Sequence, residues 1–440
     1  MTEVQQTASQ KVINGWAMYD WANSAYNLVI TSTIFPAYYD AITQTKDATG
    51  KVISNEVIFF GHTVASASLY NYALAFAYLV IAIVSPILSS IADYKGNKKS
   101  FMKFFCYTGG LACCALIGFT KDTLSLGIAG CIIAAIGYCG SLVFYNAYLP
   151  EIAAERDRDK VSAKGFAYGY IGSVILQVIC FVFVLVKPFG MDEGLASRLS
   201  FLLVGLWWIG FAQIPFAVLP KSIPQYGTET VNIFSKGFVE LKKVWEQIKR
   251  LPVLRNYLFA FFFYSMGVQT VMLAATLFGS QVLGLATSKL IICILLIQIV
   301  AIGGAYLMAK LSDKYGNIRI LIITVLLWIG ICAMAYFITT ETGFYIVAIL
   351  VGLVMGGIQS LSRSTYSKIM PETKDTASFF SFYDVTEKFA IVLGMFSFGF
   401  VQQITNNMRN SILALIVFFF IGLLGLGITL KKQQFLQRKM

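Results

Sequence analysis

Charge is scarce in this sequence. Asp, Glu, Lys and Arg make up only 13% of its 440 residues, where a soluble chain carries about 25%. Histidine is scarcer still: His62 stands alone, which leaves His-based catalysis and His-built metal centres almost without material. Neither HExxH, GxSxG nor GxxxxGK[ST] occurs, so metalloprotease, serine-hydrolase and ATP-driven pump chemistries lack their residues. The eight cysteines show no CxxC or Cys/His spacing and all fall in apolar runs. They read as packing thiols, neither metal ligands nor disulfides. No metal and no cofactor is expected. The first fifteen residues lack a basic segment followed by a small-residue cleavage site, so the first apolar run is expected to stay in the mature chain.

What is abundant is hydrocarbon. Apolar residues reach 57% and are gathered into long runs such as Thr123 to Pro150 and Ser411 to Leu430. Crossing ~30 Å of lipid at 1.5 Å per residue takes ~20 residues. Twelve runs qualify: 16–39, 67–91, 101–120, 123–149, 165–186, 200–220, 256–280, 289–310, 319–339, 342–365, 378–402 and 410–430. The fold class expected is all-α, a polytopic membrane protein. Twelve spans put both termini on one side, and the loops of that side hold 26 of the 34 Lys and Arg residues, against 7 on the other. Positive loops stay cytoplasmic, so both termini are expected there. The net charge of +12 is then a property of topology, and no nucleic-acid partner is expected.

The chain repeats itself. SIADYKGNKKS after the second run matches KLSDKYGNIRI after the eighth, pairing Asp93 with Asp313, Gly96 with Gly316 and Asn97 with Asn317 at an offset of 220 residues. YLPEIA and KIMPET pair Pro150 and Glu151 with Pro371 and Glu372 at 221. Two landmarks at one offset indicate a duplicated six-helix unit in parallel orientation. The units are residues 1–220 and 256–440, joined by 221–255, where SKGFVELKKVWEQIKRL has the spacing of an amphipathic helix lying on the basic membrane face. In the repeated loop, glycine permits the tight turn and the aspartate can meet helix N-terminal amides or cations of a neighbouring loop. Asp93, Gly96, Lys98, Asp313, Gly316 and Arg319 are therefore read as a cytoplasmic gate motif.

These loops resemble the Gly-x-x-x-Asp-x-x-Gly-basic pattern of the major facilitator superfamily, with Ser89 and Ala309 in place of the first glycines. GWAMYDWANSAY, FFGHTVASASLYNYALAF, SPILSSIAD and FYNAYLPEIA are similar to signatures of that superfamily's vacuole-effluxer-like branch, whose characterised fungal members export amino acids from the vacuole. The resemblance implies a secondary carrier working by alternating access, with amino acids or similar polar or zwitterionic metabolites as substrates and protons as the coupling ion. It also implies that spans one, four, seven and ten surround the pathway. A monomer in a bacterial inner membrane is expected. The competing reading is a sensor or scaffold on a transporter fold.

Ionisable groups at membrane depth are functional until a static partner is found. Asp20, Asn23 or Ser24, Asn27 and Thr31 share one helical face of the first span. In the eleventh, Lys388 lies about 15 Å deep at 1.5 Å per residue. Asp384, one turn earlier, is its nearest partner, and Glu387 points to a different neighbour. Gln359 and Arg363 share a face of the tenth, where the guanidinium either reaches interfacial water or holds a carboxylate. Tyr145, Asn146 and Gln269 complete the candidate substrate and coupling residues.

Overall fold

The computed structural model describes residues 6–46, 52–221 and 233–438. Its helices are α1 (Gln10–Ala25), α2 (Ile34–Thr43), α3 (Ser66–Lys95), α4 (Lys98–Ala115), α5 (Leu124–Ala147), the single turn α6 (Leu149–Ile152), α7 (Arg158–Phe181) and α8 (Glu193–Val218). After the linker come α9 (Ile233–Arg250), α10 (Pro252–Gln281), α11 (Thr287–Tyr315), α12 (Asn317–Phe337), α13 (Glu341–Ile369), α14 (Thr376–Thr405) and α15 (Met408–Gln437). Eleven helical segments among the described residues are long and apolar enough to cross a membrane. The expected twelfth, the first span, is a composite rod: α1 passes into a π-helical segment, Tyr26–Thr33, and then into α2. Neither α piece alone has spanning length. The wider winding has a local cause, since the Ser32 and Thr33 hydroxyls donate to the carbonyls of Asn27 and Leu28, five residues earlier, at 2.9 and 2.8 Å.

The two repeat loops keep their turn. Gly96 ends α3 in the left-handed region at φ 62°, and Gly316 ends α11 at φ 87°, conformations that a side chain disfavours. Asn97 and Asn317 follow at once, the first at the N-cap position of α4 without a side-chain capping bond and the second opening α12. The stretch between the first two apolar runs carries structure of its own. Two small antiparallel hairpins stand there, Thr45–Lys46 with Val52–Ser54 and Glu56–Phe59 with His62–Ala65. The second turns on Phe60 and Gly61, both at positive φ.

The linker helix α9 buries Val244 and Ile248, while Phe238, Val239 and Trp245 stay exposed. It rests on α3 and α14, one from each half, and Trp245 stacks on Phe382 at 5.7 Å. Residues 222–232 of the linker lie outside the described residues. The halves meet where α3 and α5 touch α14, and where α7 touches α11 and α13. One continuous apolar core runs through both halves, with Trp16, Trp208 and Trp328 fully buried in it.

Candidate functional site

Two layers of polar side chains join the halves, beginning at the basic face. In the outermost, the Asp93 carboxylate accepts from the backbone nitrogens of Ala377 and Ser378 at 3.2 and 2.7 Å and from the Ser378 hydroxyl at 2.8 Å. These are the first free N–H groups of α14, so a charge at the end of α3 caps a helix of the opposite half. Lys98, itself buried, pairs with Glu151 and donates to the Thr376 hydroxyl at 2.7 Å, with Asp93 at 3.8 Å.

The second copy of the motif does not reproduce this. Among the described residues Asp313 pairs with the exposed Lys160 alone, at 3.3 Å, and Arg319 is exposed. The buried anion on that side is Asp159, near the start of α7. It accepts from the Ser312 hydroxyl at 2.9 Å, from Asn317 Nδ2 at 2.6 Å and from Lys368 at 2.5 Å. Beside it Arg158 donates to the Ser367 carbonyl across the interface at 2.7 Å. The buried carboxylate on this side thus belongs to α7 and not to α11.

The second layer is centred on Arg363 of α13. Its guanidinium is 3% exposed, so the interfacial-water reading of this residue fails and the carboxylate reading holds. Nη1 lies 3.2 Å from Asp20 Oδ2 and 3.1 Å from Asn146 Oδ1, while Nε and Nη2 donate to the hydroxyl and carbonyl of Ser162 at 3.0 and 2.9 Å. Tyr145 donates to the same Asp20 oxygen at 2.7 Å. The cation sits over the rings of Phe166, Trp16 and Tyr145 at 4.2, 4.8 and 5.4 Å. Four hydrogen bonds and three aromatic faces replace the water this ion has lost. A glycine makes room for it: a Cβ on Gly165 would stand 2.6 Å from Asp20 Oδ2 and 2.8 Å from Arg363 Nη2.

Above this plug lies a cavity of about 210 Å³ between the halves. Asp20 and Arg363 form its floor, and Asn27, Asn146, Gln269, Gln359, Glu387 and Lys388 lie on its walls. Spans one, four, seven and ten contribute as expected, and α3, α7, α11 and α14 add Tyr78, Tyr170, Gln298 and Tyr383. Lys388 is 3.2 Å from Asp384 and 3.3 Å from Glu387. The sequence expectation that Glu387 serves a different neighbour is therefore half right: it also accepts from Gln269 at 3.0 Å, but the long lysine side chain folds back to reach it.

Three expected members lie elsewhere: Tyr145 packs beneath the cavity against Asp20 and Arg363 and does not line it. Asn23 is buried off the cavity with its Nδ2 unpartnered, and Ser24 takes the lining position; adjacent residues on a helix differ by about 100°. Asp384 stands behind the wall rather than on it. Glu151, Asp159 and Ser162 were missed as site residues. Glu151 had shown itself as a repeat landmark, whereas Asp159 in ERDRDK has the look of a solvated charge run.

A family model described as "Vacuole effluxer Atg22 like" matches residues 8–434. The chain belongs to that family. An uncharacterized MFS-type transporter of Bacillus subtilis (strain 168), YxiO, is 33% identical over 94% of either chain. Autophagy-related protein 22 of Saccharomyces cerevisiae (strain ATCC 204508 / S288c) is 24% identical over 96% of this chain and 92% of its own. In fold, the chain is similar to the transporter FucP in the outward conformation (TM-score 0.68, 14% identity, 95% of this chain and 98% of that one). The human organic anion transporter MFSD10 gives TM-score 0.69 at 10% identity, covering 94% and 98%. This effluxer-family member is thus a multi-pass membrane protein with the major facilitator transporter fold, built to handle a small-molecule substrate.

Proposed function

We propose that the protein is a secondary active transporter that carries a small polar or zwitterionic metabolite, amino acids being the favoured class, by alternating access coupled to protons. The observation that carries this reading is the cavity between the halves, with Glu387 and Lys388 side by side on its wall. An ammonium and a carboxylate on one small solute find complementary charges there, and Asn27, Asn146, Gln269 and Gln359 offer neutral hydrogen bonds around them. Carboxylates facing such a cavity are the groups able to take up and release a proton as the site changes its exposure. The family description as a vacuole effluxer supports export of metabolites in its relatives and lends weight to the same class here.

The conformation described is shut toward the basic face by the Asp93, Asp159 and Arg363 contacts, and we take that face as cytoplasmic in a bacterial inner membrane, with the protein acting as a monomer. Rocking of residues 1–220 against 256–440, tethered by α9, would break these contacts and expose the cavity on the basic side. Counterflow of radiolabelled amino acids in proteoliposomes tests the proposal. Wild-type protein should exchange at least one of them and Lys388→Ala none, with the variant inserted at equal yield. Equal exchange by the variant removes Lys388 from the site, and no counterflow of any small solute by either protein returns the chain to the sensor or scaffold class.

A further inference from the structure

A second, larger cavity lies outside the transport pathway. It is a groove of about 1050 Å³ at the basic end of the bundle, lined by α7 of the first half, α11 of the second and the start of α1. Four lysines line it: Lys160 and Lys164, one turn apart on α7, and Lys310 and Lys314, one turn apart on α11. Two carboxylates share the groove, and both are engaged. Asp313 holds Lys160 at 3.3 Å, and Asp157 accepts from the Thr7 hydroxyl and flanks Arg156. Lys164 donates to Asn14 Oδ1 at 2.5 Å. Lys310 and Lys314 have no carboxylate partner among the described residues. The groove therefore keeps an excess of two positive charges.

The surface rising from it is apolar along the same helical faces. Leu307 and Ile299, three and eleven residues before Lys310, are 44% and 54% exposed, and Ile171 and Ile175, seven and eleven residues after Lys164, are 36% and 40% exposed. Cations at the foot of two lipid-facing stripes match a molecule with an anionic head and hydrocarbon tails. A soluble anion would use the lysines and leave the stripes unused. We propose that this groove is a binding site for the phosphate headgroup of an anionic phospholipid, held between α7 and α11 in the leaflet of the basic face. Basic pockets between membrane helices on that side attract such headgroups. Because the two helices belong to different halves, a lipid seated there engages both and favours the arrangement in which they are together.

Native mass spectrometry of the full-length protein in detergent tests the site, with phosphatidylglycerol and phosphatidylcholine of matched chains as the two probes. Wild-type protein should retain phosphatidylglycerol over phosphatidylcholine by on the order of tenfold or more, given two lysines without a carboxylate partner at a membrane surface. K310Q/K314Q should bring the two lipids to parity, while K431Q/K432Q at the end of α15 should leave the preference intact. Equal retention by the wild type overturns the proposal without need of any variant, as does an undiminished preference in K310Q/K314Q. Competition by millimolar inorganic phosphate that strips the lipid also overturns it, since the groove would then be a site for soluble anions. Both substituted lysines are exposed, and a matching thermal unfolding midpoint verifies that the variant is folded.

Discussion

The carboxylate of Asp93 lies 2.7 Å from the backbone nitrogen of Ser378, a residue 285 positions away in the opposite half. Charge-assisted hydrogen bonds of this kind contribute about 1.5–3 kcal/mol each, and on the proposed alternating-access cycle the contact must break when the basic face opens. Asp93→Ala should therefore populate the state open to that face. Cys139, which lines the cavity, supplies the readout: a membrane-impermeant thiol reagent added at the basic side should modify it on the order of tenfold or more faster in the variant, at 1.4 kcal/mol per factor of ten. Peptide mass spectrometry separates Cys139 from the other seven cysteines. An unchanged labelling rate would mean that Asp93 is not part of a latch.

The Asp20–Arg363 pair makes a different prediction because both side chains are almost wholly buried. Arg363→Ala should lower stability by about 3–5 kcal/mol, since it leaves Asp20 charged and buried with only Tyr145 to serve it. Asp20→Ala/Arg363→Ala should cost less than the sum of the single variants, which thermal unfolding of the four proteins of a double-mutant cycle measures directly. Arg363→Lys should not rescue: an ammonium cannot reach Asp20, Asn146 and Ser162 together or lie flat on three rings. Additive losses would show that the two residues act independently.

Much of this was legible because it is local. Hydropathy over twenty residues marked the spans, the repeated Asp-x-x-Gly-Asn marked the turns at Gly96 and Gly316, and a four-residue spacing put Asp384 beside Lys388. The remainder depends on contacts that no local pattern encodes. Ser162 meets Arg363 across 201 residues, and Asp159 meets Lys368 across 209, so their burial is decided by how the halves meet. Asn23 and Ser24 were interchangeable by spacing, and only the packing of α1 on α7 selects Ser24 for the cavity. The π segment at Tyr26–Thr33 escaped notice because serine and threonine hydroxyls bend a helix without altering its hydropathy.

Gly165 should tolerate no side chain. A methyl group there would press on Asp20, Arg363 and the Trp16 ring, all within 2.9 Å of its ideal position, and none can swing aside without breaking a buried contact. Gly165→Ala should destabilise by about 1–3 kcal/mol, the range for overpacking a dense core. Thermal unfolding should also show that it no longer adds to Arg363→Ala, because both changes dismantle the same network. A fully additive loss would place the strain elsewhere on α7.

Asp384 and Glu387 flank one lysine but should fail in different ways. The Asp384 side chain is 4% exposed and lies behind the cavity wall, whereas that of Glu387 is 23% exposed and lines the cavity. Asp384→Asn removes the charge that the buried Lys388 ammonium relies on where solvent cannot compensate, so it should lower the unfolding midpoint and weaken transport only as a consequence. Glu387→Gln keeps the side-chain length and its contact with Gln269, and Lys388 keeps Asp384, so stability should stay near that of the wild type. Transport should not: a neutral amide cannot pair with a substrate ammonium or carry a proton. Counterflow, which needs no net proton movement, separates these two roles from proton-driven uptake. Loss of both assigns Glu387 to substrate, and loss of driven uptake alone assigns it to coupling. If Glu387→Gln transports normally in both assays, the residue belongs to the structural support of Lys388 with Asp384.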